Sequence, residues 1–85
     1  MQWQEIRAHY PQQWLLLEAV KAHSENDQRI LDQLAVLDAF PDSATALSAY
    51  ARIHREVPHR ELYVFHTSRD TLDIRERQWL GIRSA

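Results

Sequence analysis

Five histidines in 85 residues, His9, His23, His54, His59 and His66, are the first side chains to test for chemistry. Neutral imidazole is a common metal ligand, and a zinc site needs three or four N, S or O donors converging tetrahedrally. The spacing does not supply one. His54 and His59 are five apart across a helix end and Pro58, not four apart on one helical face as in a His-Glu-x-x-His motif. His9 and His23 fall near opposite ends of the first predicted strand. These histidines are read as surface or partly buried groups that make stability or association pH-sensitive near neutrality. No metal ligand and no cofactor is expected.

His66-Thr67-Ser68 sets a base two residues from a hydroxyl. Alternate residues of a strand share a face, so His66 and Ser68 point one way and Thr67 the other. A hydroxyl nucleophile also needs an oxyanion hole, usually backbone donors on a Gly-rich turn or a helix start. The single glycine, Gly81, offers no such loop, and no Gly-rich phosphate-binding fingerprint is present. No catalytic residue is assigned, and the segment is read as a strand end with solvated polar groups.

The arginines carry more information. Arg75 and Arg77 share a parity with Trp79 on the last predicted strand and form an exposed stripe if the opposite parity packs inward. Arginine beside an aromatic ring can grip phosphate and stack a base. The same residues are enriched at protein interfaces. Asp73 and Glu76 interleave with them and the formal net charge is -2, so the electrostatic footprint for nucleic acid is thin. Arg75, Arg77 and Trp79 are therefore read first as a protein interface, self-association through an edge strand included, and second as a nucleic-acid contact.

The elements that must position these groups follow from the apolar pattern. Trp3, Ile6 and Tyr10 mark a short helix that Pro11 should end. Residues 14–40 have two readings. Leu, Ala, Glu and Lys favour helix by propensity, while the alternation after Trp14 and the polar turn Ser24-Glu25-Asn26-Asp27-Gln28 favour a long hairpin. The hairpin is preferred, with an all-helical N-terminal half as its rival. Asp42 and Ser43 supply an N-cap for an amphipathic helix over 44–57, with Ala46, Leu47, Tyr50, Ile53 and Val57 on its apolar side and Pro58 closing it. Glu61 to Thr67 is rich in aromatic and β-branched residues, a strand. Residues 72–83 are read as a last strand, with Glu76 and Gln78 marking a bend. The fold class is α+β: an antiparallel sheet of about four strands (hairpin, helix, two strands). The central helix lies on one face, and a short N-terminal helix completes the chain. The strand at 62–67 is expected to lie flat beneath the apolar stripe of the helix, leaving no cleft for reactive groups.

Composition sets the frame. Residues 1–85 are read as one small domain, and a chain this short buries only about 60% of the surface its unfolded form exposes. Absence of cysteine removes disulfides and thiolate metal sites and suits a reducing compartment. A partner or an oligomer is then one way to recover stability. No apolar run approaches the roughly 18 residues of a membrane span, and the start at Met1 lacks the basic and apolar regions of a signal peptide. The location expected is the cytoplasm. Residues 1–51 hold three basic and seven acidic side chains, and residues 52–85 hold seven arginines and five acids. Such halves are expected to pair with each other across one fold.

The string Tyr10-Pro11-Gln12-Gln13-Trp14-Leu15-Leu16-Leu17-Glu18-Ala19 resembles the opening of small bacterial proteins, mainly cyanobacterial, that have no established activity. So do Asp42-Ser43, the stretch from Arg60 to Ser68, and the close Trp79-Leu80-Gly81-Ile82-Arg83. The resemblance covers most of the chain. It implies a Tyr-Pro-x-x-Trp lead-in to a strand, which supports the hairpin, and it assigns no catalytic residue. The function expected is a non-enzymatic protein–protein interaction module that binds a protein partner or itself as a homo-oligomer, with an accessory or antitoxin-like role. Nucleic-acid binding through the C-terminal arginines is the alternative, and a small His-dependent hydrolase or metal enzyme ranks third.

Overall fold

A computed structural model describes residues 1–74. The elements run α1 (Trp3–His9), β1 (Trp14–Glu25), β2 (Gln28–Phe40), α2 (Ser43–Glu56) and β3 (Leu62–His66). The chain is α+β, with a three-stranded antiparallel sheet in the order β2-β1-β3. Residues 14–40 form the hairpin, not the helical pair. Its two-residue turn, Asn26-Asp27, takes positive φ at both positions (51° and 62°). This is the left-handed geometry that matches strand twist, and Asn and Asp tolerate it better than other non-glycine residues.

β1 is the middle strand, and this explains its sequence. Leu15, Leu16 and Leu17 are all fully buried although neighbours on a strand face opposite ways. Both faces are covered. On one, Leu15, Leu17, Leu34 and Phe65 form a core with Trp3 and Ile6 of α1. Leu72 and Ile74 join that core, Leu72 from its partly buried margin. On the other, Leu16 and Leu62 lie under α2, whose Ala46 and Ala49 are buried. The α2 stripe differs from the one expected. Ala46, Ala49, Tyr50, Ile53 and Val57 turn inward, whereas Leu47 is 53% exposed. At about 100° per residue, Leu47 sits a quarter turn away from the stripe that Ala46 and Val57 define. The small side chains at the contact are what allow the helix to approach the sheet. Asp42 caps α2 as expected, its carboxylate accepting from the Thr45 N–H at 2.8 Å.

The expected fourth strand is not seen in the described residues. Residues 72–74 are irregular. They cross the α1 face and put Leu72 and Ile74 into the core as a plug, and the Ile74 carbonyl accepts from the Arg29 N–H at 2.9 Å on the outer side of β2. The remainder of that predicted strand, with Arg75, Arg77 and Trp79, lies outside the described residues.

The charge halves meet across the fold. Arg7 pairs with Asp70, Arg29 with Glu61, and Arg60 with Glu18, each pair joining residues 1–51 to residues 52–74. Arg7 also donates to the Thr67 carbonyl at 2.9 Å, and the Trp3 indole N–H donates to the Arg69 carbonyl at 2.9 Å. These bonds fasten α1 to the turn that follows β3.

Candidate functional site

β3 is an edge strand, and its hydrogen-bond alternation decides what that edge offers. The Glu61 carbonyl accepts from the Ala19 N–H at 2.9 Å, and the Thr67 N–H donates to the Gln13 carbonyl at 3.0 Å. Odd-numbered residues of β3 therefore direct their backbone groups at β1, and Leu62, Val64 and His66 direct theirs outward. The His66 carbonyl is used by the Arg69 N–H at 3.1 Å. The N–H and C=O of Leu62 and Val64, and the N–H of His66, meet no partner among the described residues.

Two polar anchors hold this strand rigid at its start. The Glu61 carboxylate accepts from Arg29 Nε at 2.9 Å and Nη2 at 2.7 Å, and from the Tyr63 hydroxyl at 2.6 Å. The hydrogen bond from Arg29 is the main cause holding the Glu61 carboxyl below its usual range. Burial, reinforced by the bond to Glu61, pushes the Tyr63 hydroxyl well above the ordinary phenol range. One residue earlier, Arg60 grips Glu18 through both Nε and Nη2. That bond lowers the Glu18 carboxyl. Beyond the strand, the Thr67 hydroxyl is buried and accepts from the Gln13 N–H at 3.1 Å. Its role is to fix the β1–β3 register.

His66 and Ser68 do come together: Nδ1 lies 2.8 Å from the Ser68 Oγ. The same Nδ1 accepts from the Ser68 N–H at 3.1 Å, which makes it the acceptor for the hydroxyl as well. The arrangement is a turn that ends a strand. The backbone donors of the turn itself are in use: the Thr67 N–H by the Gln13 carbonyl, the Ser68 N–H by His66 Nδ1, and the Arg69 N–H by the His66 carbonyl. The imidazole also packs edge-on against Trp14, ring centroids 5.1 Å apart.

The other histidines are dispersed. His54 stacks on Tyr50 along α2, and His23 stands on the hairpin between Asp32 at 2.6 Å and Glu25 at 3.2 Å. Those two hydrogen bonds, Asp32 first, raise the His23 pKa. Among the described residues no three His, Asp or Glu side chains group so as to hold a metal ion. None of the described helices is long and apolar enough to cross a membrane.

The stripe singled out from the sequence, Arg75, Arg77 and Trp79, falls outside the described residues, so the edge of β3 is the feature sequence reading passed over. Its signal was available. Leu62-Tyr63-Val64-Phe65-His66 contains no Lys, Arg, Asp, Glu, Pro or Gly, the residues with which edge strands are usually blunted.

Fold and site together define a small α+β sheet domain whose β3 edge carries no formal charge and, among the described residues, outward backbone groups without partners. Comparison with protein-family models, with curated proteins and with solved structures finds no match to this chain.

Proposed function

We propose that this chain is a non-enzymatic protein–protein interaction module that binds through the outer edge of β3. The observation that carries this reading is the row of N–H and C=O groups at Leu62 and Val64 that meet no partner among the described residues, on a strand without a charged residue. An added strand satisfies those groups directly, and main-chain pairing of this kind is a recurring mode of recognition. The strand is pre-organised by the Arg29–Glu61–Tyr63 and Arg60–Glu18 bonds, so little order has to be created on binding.

The test is a titration of the isotope-labelled chain with a synthetic peptide spanning residues 60–68, read by amide exchange. Binding should slow exchange at Leu62, Val64 and His66 and leave Tyr63 and Phe65, already bonded to β1, unchanged. Val64→Pro removes only an outward N–H and should abolish the effect, and N-methylation at Val64 is the backup should the proline perturb folding. Perturbations confined to the exposed side of α2 around Leu47 and Ala51 would refute the reading.

A further inference from the structure

We infer that the strand added to β3 is β3 of a second copy of this chain, paired antiparallel about a two-fold axis at Val64. This rests on the edge-binding reading above and names its partner.

Backbone alternation selects the register. Leu62, Val64 and His66 point outward, so a symmetric antiparallel pair must oppose even residues to even residues. Centring the axis on Val64 places Val64 opposite Val64 of the second copy and Leu62 opposite its His66. This arrangement uses the outward N–H groups of Leu62, Val64 and His66, which meet no partner among the described residues. Shifting the axis to Tyr63 or Phe65 leaves one of those groups outside the pairing.

The side chains suit the same register. Tyr63 falls opposite Phe65 of the second copy in the non-hydrogen-bonded pairs, where side chains approach closest. Within one chain these rings are already stacked, centroids 5.6 Å apart and planes 11° apart, so pairing extends an existing aromatic row. Charge is complementary by absence: a strand with no formal charge over 62–66 meets its own copy. The flanking Arg60 and Glu61 are satisfied inside their own fold by Glu18 and Arg29.

The chain's own C-terminal stretch is the competing occupant. The described chain leaves off at Ile74, bonded to Arg29 on the outer side of β2. β2 is the opposite edge of the sheet from β3. That same far edge is also bonded by Met1, whose carbonyl accepts from the Leu34 N–H at 2.8 Å and whose ammonium donates to the Leu34 carbonyl at 3.0 Å.

The chain has no cysteine, which makes the decisive test simple. In the proposed register the two Val64 Cα atoms are about 5.5 Å apart, inside the range of about 4.4–6.8 Å that a disulfide spans. The full-length Val64→Cys variant under mild oxidation should give a single covalent dimer, while Val20→Cys, on an exposed position of β1, should give none in the same time. Sedimentation of the unmodified chain over a concentration series should show a reversible monomer–dimer equilibrium. Its amide protection at 62, 64 and 66 should rise with concentration, which keeps the test sound if the cysteine variant folds poorly. A chain that stays monomeric throughout, yet binds the 60–68 peptide, overturns the self-pairing proposal and leaves the interaction reading standing. A monomer that also ignores the peptide overturns both.

Discussion

Deleting the Tyr63 hydroxyl probes the polar network that ties β3 to the hairpin. The phenol donates to Glu61 over 2.6 Å, and the same carboxylate takes two bonds from Arg29. A hydrogen bond to a charged group contributes about 1.5–3 kcal/mol when shielded from water. The Arg29 and Glu61 side chains keep 27% and 30% of their exposure, which weakens the bond. Tyr63→Phe should therefore lower the unfolding free energy by about 1 kcal/mol. Glu61→Gln, which weakens three bonds at once, should cost about 2 kcal/mol. The double variant should fall short of the sum by about 0.5–1 kcal/mol, because both changes act on one shared bond. Dependence on pH supplies a second readout. Tyr63 has a raised pKa when folded, so its contribution is complete below the unfolded value of about 10 and declines as pH rises past it. Glu61 is shifted the opposite way: its contribution is complete above the ordinary value of 4.5 and is lost as pH falls through the lower folded value. Urea titrations followed by circular dichroism should show a plateau with a fall on each side, and Tyr63→Phe should flatten the alkaline fall. Wild-type stability in Tyr63→Phe, with the alkaline fall intact, would refute the network.

Other outcomes follow from the same packing. Leu16→Ala opens a cavity between the sheet and α2 and should cost about 2–5 kcal/mol, measured by denaturant midpoint. Leu47→Glu should change stability by no more than about 0.5 kcal/mol, since Leu47 faces water. Ala49→Glu places a carboxylate against the sheet and should unfold a large fraction of the protein in the same assay. His23→Gln should flatten a small pH dependence: the raised pKa of His23 stabilises the hairpin below the ordinary histidine value, and that contribution fades as pH climbs through the folded value.

Much of this architecture was legible before any coordinates. The Asp42 cap and the 44–57 periodicity located α2, the composition of 61–67 located β3 to within a residue at each end, and the polar 24–28 cluster located the hairpin turn. Three things were not. Leu47 looked like core because a propensity-weighted reading favours large apolar residues, while the sheet selected the small Ala46 and Ala49 for close approach. The run Leu15-Leu16-Leu17 looked ambiguous because a strand covered on both faces loses its alternation. Residues 72–74 read as a strand because Leu72 and Ile74 share a parity, yet they serve as a plug across the α1 face. The candidate site was the least legible part. Sequence reasoning looks for residues that are present, such as Arg75, Arg77 and Trp79, whereas an open edge announces itself by the charges it lacks.

The middle position of β1 has a bearing on how the chain acquires its shape. Its ladder with β2 closes locally through a two-residue turn, but its ladder with β3 must wait for a segment that lies beyond the whole of α2. Bringing in such a distant strand is slow relative to hairpin closure. During that interval the nascent molecule shows a leucine-rich flank that any other copy's Leu62–His66 fits as well as its own. A higher protein concentration during refolding therefore raises the share of exchanged strands, and the yield of correctly closed chain should fall as concentration rises.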